Sequence, residues 1–167
     1  MNTEIPVWAI DEIGTPEALA AWLRDRDLLA DDASVGADAF VRARALRGFL
    51  RELARRNTHG GRADEAFRSE FSAVAREAEV HFVLTSGGDL RAEPVRGDAD
   101  GALAAILARI LDGQVAGVWH RLKSCPGAHC GWLFYDSSRN ASSKWCSMSI
   151  CGNRTKTAAY RRRRSGS

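Results

Sequence analysis

Apolar residues recur every three or four positions through four stretches of the chain, which is the spacing of one helix face. The first stretch begins at Thr15-Pro16, where the threonine can cap a helix and the proline suits its first turn. We therefore expect a mostly helical N-terminal part. The predicted helices run from Pro16 to about Leu29, from about Gly36 to Arg56, from about Ala63 to Ala78, and from a cap at 97–100 to Asp112-Gly113.

A two-residue alternation of apolar and polar side chains follows the third predicted helix. It extends from Val80 to Thr85 and, after the turn residues 86–89, from Leu90 to Val95. Two such runs around a glycine-containing turn predict a β-hairpin.

Short apolar runs replace the helical pattern after the predicted joint at Gly113 to Gly117. Residues 119–123 and 132–135 predict two strands. A final helix is expected from Gly152 into the four arginines near the C-terminus, with Cys151 close to its N-terminal end.

All four cysteines lie in this last part of the chain, as two pairs. Cys125 and Cys130 bracket four residues, as do Cys146 and Cys151, and fifteen residues separate the pairs. Two short turns that each supply two thiolates can complete a tetrahedral zinc shell. The sequence therefore predicts Zn²⁺ as the cofactor, with these four cysteines as its ligands.

Two alternatives remain open for the cysteines. They could form two disulfides, but the chain starts without an apolar signal segment, so we expect a cytoplasmic protein, where disulfides are rare. His129 could replace one ligand, although four cysteines already complete the shell and the histidine is expected outside it.

The cysteine segment resembles the CGNR zinc finger over about residues 118–164. The matching runs are Cys-x4-Cys-Gly-Trp-Leu-Phe-x-Asp from Cys125 and Trp-Cys-Ser-Met-x-x-Cys-Gly-Asn-Arg-x-Lys from Trp145. In that family the finger usually follows an N-terminal ABATE domain, and the proteins are regarded as bacterial stress-response transcription regulators. The family commonly begins with Leu-Asp-x-x-Asn-Thr. Here Ile10 to Thr15 lacks that asparagine, so a ligand role of the usual signature is not transferred.

These observations predict an α+β protein of two domains and a short tail. Residues 1–113 would form a mostly helical, ABATE-like domain with a β-hairpin. Residues 114–164 would form a small zinc-binding module, ribbon-like or treble-clef-like, that ends in a basic helix. Residues 165–167 would be disordered.

Charge is divided unevenly along the chain. From Gly113 onward there are ten Lys/Arg and one acidic residue, which gives +9, while the preceding part has fourteen and twenty, which gives −6 and the overall +3. A basic segment beside a zinc module indicates a polyanion-binding surface, although a solvated basic tail would have the same composition.

Catalysis and membrane insertion are not expected. Four thiolates leave no open position on zinc for an activated water, and the four histidines are scattered. No nucleophile elbow, phosphate loop or dinucleotide fingerprint occurs. No stretch reaches the roughly 18 apolar residues of a membrane-spanning helix.

Nucleic acid is therefore the expected partner, and a DNA-binding transcription regulator is the leading hypothesis. Asn153 is expected to bond the nearby backbone. Arg154 could contact a base edge or brace the Trp145 region. The residues predicted to contact phosphates, and in part base edges, are Arg154, Lys156, Arg161, Arg162, Arg163 and Arg164.

Two other hypotheses stay open. RNA or single strands could stack on Trp132, Phe134 and Tyr135, although at least two of these rings are expected to cover the small core. A ligand-sensing or protein-binding role, with a small-molecule effector or a homodimer, would be supported by a pocket enclosed by Trp22, Phe49, Phe71 and Phe82.

Overall fold

The computed structural model describes residues 2–5 and 10–165. Within these ranges the chain is α+β, as predicted. The helices are α1 (Pro16–Arg24), α2 (Ala37–His59), α3 (Glu65–Ala75), α4 (Ala99–Val115) and α5 (Asn153–Ser165). Three antiparallel pairs are formed by β1 (Glu4–Ile5) with β2 (Ile10–Asp11), β3 (Val80–Leu84) with β4 (Leu90–Pro94), and β5 (Leu122–Ser124) with β6 (Leu133–Tyr135).

The described chain divides into two compact units. The helical unit comprises Thr3–Phe49 and Ala63–Trp119, and the cysteine unit comprises Asn2, Leu50–Arg62 and residues 120–165. The second half of α2 is thus grouped with the cysteines, while the domain boundary at 113/114 stays a prediction. Of the predicted tail, Ser165 ends α5, and residues 166–167 lie outside the described part.

Three helices begin where short polar side chains can cap them. Thr15 accepts a hydrogen bond from the Ala18 N–H, which confirms the predicted start of α1. Asp64 caps α3 through the Phe67 N–H, and Asp98 caps α4 through the Gly101 N–H. Each cap satisfies a backbone donor that the first turn of a helix leaves without an intrahelical partner.

The C-terminal ends of the helices differ more from the prediction than their starts do. We expected α1 to reach about Leu29, but it ends at Arg24 because Asp27 adopts φ +55° and the Leu28 N–H bonds the Leu23 carbonyl. This left-handed closure satisfies the last carbonyls of the helix. The expected ends of the next two helices also shift, since α2 continues to His59 and α3 stops at Ala75.

Helix α4 also passes its predicted stop. It continues through Gly113 to Val115, and the positive φ of +68° falls on Gly117 instead. The Val118 N–H then bonds the Gly113 carbonyl. A 3₁₀ turn at Trp119–Arg121 follows, so only the second half of the predicted strand 119–123 is extended.

Aliphatic side chains from α1, α2 and α4 form the core of the helical unit. Helix α3 contributes aromatic contacts, because Phe67 and Phe71 pack edge-on against Phe49 with ring centroids 5.1 and 5.7 Å away. The buried aliphatic residues of the unit include Ile13, Leu19, Leu23, Leu29, Val35, Leu46, Ala102, Leu103, Ala104 and Ala108.

The predicted hairpin forms, with Phe82 opposite Ala92 and Leu84 opposite Leu90. One of its faces is exposed and apolar, since Phe82 is 72% exposed and Leu90 is 71% exposed. The proposed effector pocket among Trp22, Phe49, Phe71 and Phe82 is therefore not formed. A ring this exposed to solvent does not enclose a cavity.

The arginines of α2 predict, from the sequence alone, a solvated surface that pairs with neighbouring acidic residues. Arg42 makes a bidentate bond to Asp100, and Glu52 accepts from Arg55 and Arg56. Arg47 differs from this expectation because only 6% of its side chain is exposed.

Arg47 reaches into the N-terminal strand pair. Its guanidinium binds the Asp11 carboxylate at 2.5 and 3.0 Å and contacts Thr3 and Glu4. The Arg47 bond lowers the pKa of Asp11 despite partial burial. Ile13 is buried and Ile10 is 46% exposed, whereas Val7 and Trp8 lie outside the described residues.

Across residues 2–5 and 10–165, no helix combines the length and the hydrophobicity that a membrane crossing requires.

Two glycines of α4 give a matched test of how closely this helix packs against its surroundings. A β-carbon at Gly101 would lie 1.8 Å from the Arg96 carbonyl oxygen, whereas one at Gly113 meets nothing closer than Val118 at 4.0 Å. We expect Gly101→Ala to lower the free energy of unfolding by about 2 kcal/mol or more. Gly113→Ala should raise it by about 0.5–1 kcal/mol, because alanine favours a helix interior. Urea denaturation checks both; equal effects would contradict the close contact at Gly101.

Candidate metal centre and basic helix

The four cysteine sulfurs converge on one point. Cys125, Cys130, Cys146 and Cys151 have all their Sγ atoms within 4.8 Å of one another, and none of the four is in a disulfide. The Cys130–Cys146 and Cys146–Cys151 sulfurs are 3.7 and 3.8 Å apart. Tetrahedral zinc with Zn–S bonds of 2.3 Å places its sulfurs about 3.8 Å apart. These residues therefore fit a structural zinc ion.

The first cysteine turn (residues 125–131) is closed by backbone bonds. The Cys125 N–H donates to the Trp132 carbonyl at 2.8 Å, and the Cys130 N–H donates to Gly127 at 2.9 Å. Gly127 leaves little room for a side chain, because a β-carbon there would lie 3.3 Å from those of Cys130 and Cys151. The turn thus holds two thiols at the same place.

The second cysteine turn (residues 145–152) ends in a π-helical turn at Met148–Gly152. The Ser147 carbonyl accepts the N–H groups of both Cys151 and Gly152, and the Ser147 hydroxyl caps the Ile150 N–H. A β-carbon at Gly152 would lie 2.4 Å from the Met148 sulfur. Only glycine fits there without displacing Met148.

Helix α5 follows this turn directly. Asn153 bonds the Ser149 carbonyl through its amide at 3.3 Å, which is the backbone role expected for it. Arg154, in contrast, is exposed and has no hydrogen bond or ion pair to another described residue, so it does not brace Trp145.

Proximity of the thiols opposes their joint ionisation. Burial, together with hydrogen bonds from the neighbouring thiols, raises the pKa of Cys146 far above its usual value, and burial is also the largest cause that raises the pKa of Cys151. Burial would raise the pKa of Cys125 too, but backbone N–H groups of Cys146 and Gly127 outweigh it and lower that pKa. A divalent cation can stabilise the further thiolates that four crowded sulfurs disfavour.

His129 does not join the four sulfurs. It lies at the exposed tip of the first cysteine turn with φ +62°, two residues before Gly131 at +58°, and the described cluster of metal-binding side chains contains cysteines alone. The structure thus favours the four-cysteine set over the alternative with a histidine ligand.

A buried ion pair organises the loop between the two cysteine turns. Asp136, whose side chain is fully buried, accepts a bond from Lys123 Nζ at 2.7 Å. Its two oxygens also accept the Ser138 N–H and hydroxyl and the Ser143 N–H. Burial would raise the pKa of Asp136, but these donors outweigh it and hold the pKa well below its usual range.

Two basic residues of the module make hydrogen bonds within the module. Lys123 also donates to the carbonyls of Ala141 and Ser143. Arg121 donates to the carbonyls of Asp136, Ser138 and Arg139. This network was not predicted from the sequence, although one signal was present, since Asp136 is the only acidic residue after Gly113.

The end of α2 supports the strands of the cysteine unit. Asn57 donates to the Leu122 carbonyl, and the Thr58 hydroxyl both accepts the Ser124 N–H and donates to its carbonyl. Asn2 pairs with both backbone groups of Leu133. These side chains fix the sheet that carries Cys125.

The aromatic residues near the metal centre are more exposed than expected. Trp132 is 41% and Tyr135 56% exposed, and Phe134 is half-buried. Our expectation that at least two of them cover the core was wrong. Leu133 supplies the buried side chain of β6, and a strand in a two-stranded sheet has few neighbours to cover its other side chains.

The basic side chains of the final helix lie at the surface. All six predicted contact residues are exposed on α5: Arg154, Lys156, Arg161, Arg162, Arg163 and Arg164. Only Thr155 and Ala159 of residues 153–164 are half-buried. A shallow groove of about 490 Å³ contains Arg154 and Arg161, together with Ser149, Ile150, Asn153, Thr157 and Ala158.

Four clustered thiols followed by a basic helix define a small metal-binding module of the zinc-finger class. Comparison with known families agrees, because the CGNR zinc finger matches residues 121–164. The ABATE family, described as "Putative stress-induced transcription regulator", matches residues 1–114. The chain belongs to this family, as the sequence resemblance predicted. A search of curated proteins found no similar sequence.

The metal centre gives a direct prediction. We expect one zinc ion per chain from reducing buffer, and loss of that zinc in Cys146→Ser. A strong chelator should unfold the cysteine unit while the helical unit persists, because structural zinc contributes on the order of 10–16 kcal/mol in small fingers. Elemental analysis and circular dichroism check this.

His129→Ala is the matched control, since this residue adjoins Cys130 and should leave the zinc content unchanged. A chain that keeps full zinc without Cys146, or loses it without His129, would contradict the four-thiolate centre.

The buried ion pair gives a second prediction. Asp136→Asn keeps the size of the side chain but leaves Lys123 without its anionic partner, so we expect a loss of about 3 kcal/mol in stability. Thermal denaturation of the zinc-loaded protein measures it. Ser137→Ala, an exposed change in the same turn, should stay within about 0.5 kcal/mol. Equal stability of the two variants would rule out this role for Asp136.

Proposed function

We propose that this ABATE-family protein is a zinc-dependent DNA-binding transcription regulator. The observation that carries the proposal is the position of α5, which begins two residues after the ligand Cys151 and exposes six cationic side chains. A metal ion that fixes the second cysteine turn would also fix the start of this helix. Phosphate groups of a nucleic acid are the natural partner of such a surface.

Family membership supports the regulatory part of the proposal, because both matched families carry descriptions consistent with it. The proposed role is binding rather than catalysis. Four thiolates would leave zinc without an open position for water or substrate, so the ion would act structurally. The expected location is the cytoplasm, where thiols stay reduced and bacterial DNA is accessible.

A second candidate is binding to RNA or single strands. The exposure of Trp132 and Tyr135 favours it, since exposed rings can stack on unpaired bases. The two candidates differ in the preferred competitor. Duplex DNA should displace a labelled duplex better than single strands or RNA if the leading proposal holds.

The main test is the salt dependence of duplex binding by the zinc-loaded protein, measured by fluorescence anisotropy. If six cations contact phosphates, the slope of log affinity against log salt should be about −5. Replacing Arg161–Arg164 by glutamine should reduce it to about −2. A slope near zero for the unmodified protein would overturn the proposal.

A charge-matched variant controls for net charge. Four exposed arginines of the helical unit are replaced by glutamine instead: Arg68, Arg76, Arg91 and Arg109. This variant loses the same charge but should keep a slope near −5. If it loses binding as strongly as the α5 variant, the attraction reflects overall charge rather than this helix.

A further inference from the structure

Helix α5 has an inner and an outer face. Successive residues of an α-helix are 100° apart, so Thr155 and Ala159, the half-buried positions, define the inner side. Arg154, Thr157 and Arg161 lie at spacings of three and four on the opposite side. The module therefore presents this row to solvent.

The outer row continues into the second cysteine turn. The shallow groove formed by the row extends to Ile150 and Ser149, and Ile150 is 58% exposed despite being aliphatic. The groove thus combines guanidinium, hydroxyl and apolar groups on one surface. A face built only to attract phosphates has no need of an exposed isoleucine.

The groups on this row match the chemistry of base edges. Arginine pairs bidentately with guanine O6 and N7, serine and threonine bond either base type, and apolar side chains contact the thymine methyl group. Lys156 lies to one side of the row and Arg162 to the other, while Arg163 lies nearly opposite the row. Cations on the two sides of the row are placed to reach the phosphates that border a groove.

The dimensions of α5 select the type of groove. Thirteen residues give a helix about 20 Å long, and a helix with side chains is about 10–12 Å across. The major groove of B-DNA, about 12 Å wide, admits such a helix. The major groove of A-form RNA is too deep and narrow for side chains to read.

We propose that α5 lies in the major groove of duplex DNA with its outer row towards the bases. In this arrangement Arg154 binds guanine and determines specificity, and Ile150 contacts a neighbouring thymine methyl. Lys156 and Arg162 contact phosphates. The inference rests on the proposed function and makes it more specific, because Arg154 would select sequence while Lys156 and Arg162 would bind the backbone.

Arg154 is the best candidate for the selecting residue for two reasons. It lies in the first turn of α5, two residues from the tightly packed Gly152, so its backbone position depends on the metal centre. Its guanidinium is exposed and has no partner among the described residues, so no internal bond has to be broken.

Selection from a random duplex library with zinc-loaded, full-length protein tests the inference. The unmodified chain should enrich a motif that contains guanine next to thymine. Arg154→Lys keeps the charge but loses the bidentate fork, so it should lose the guanine preference by about tenfold or more while the salt slope is unchanged. Ile150→Ala should relax only the thymine position.

Lys156→Ala is the matched control on the flank of the same helix. It should keep the motif and reduce the salt slope by about one. Zinc content measured for each variant shows that the module is intact. If Arg154→Lys leaves the motif unchanged, or if the unmodified protein binds duplexes without any motif, the assignment of the outer row is wrong although DNA binding stands. If the unmodified protein does not bind duplexes, the proposed function fails as well.

Discussion

The convergence of four sulfurs on one point is the constraint on which the cysteine unit depends. Its buried aliphatic residues are few, and Leu50, Ala54 and Leu133 are the clearest of them. So small an apolar core contributes little free energy by itself, and metals commonly stabilise domains of this size. Around the sulfurs, hydrogen bonds hold the parts of the unit that apolar packing does not. The Asp136–Lys123 pair orders the connecting loop, and the end of α2 holds the sheet.

The N-terminal ends of the helices could be predicted well, and their C-terminal ends poorly. Starts depend on local side chains, such as the Thr15 hydroxyl or the Asp98 carboxylate, which are visible in sequence. Ends depend on which residue adopts a positive φ. In α1 the residue with positive φ is Asp27, which is less expected there than glycine. In α4 the helix continues past Gly113, and the positive φ occurs at Gly117. The competing backbone hydrogen bonds that decide where these helices end do not show as a local pattern in the sequence.

The candidate site was predictable where its chemistry is local. The spacing of the four cysteines alone predicted a shared metal site, and the structure places their sulfurs within bonding reach of one ion. The internal use of Lys123 and Arg121 could not be inferred, because their partners are carbonyls up to twenty residues away. The count of charged residues therefore overstated how many basic side chains are available at the surface. The exposure of Trp132 and Tyr135 escaped prediction for a related reason, since a strand in a two-stranded sheet has few neighbours to cover it.

The inward side of α5 is made by Thr155 and Ala159 alone among residues 153–164, and this economy has an evolutionary consequence. Two small side chains face inward, while the exposed positions among residues 154–164 lie at the surface, where substitutions usually change stability little. Under the proposed function, a few codon changes in this one short segment would therefore alter the target and leave the metal-binding framework intact.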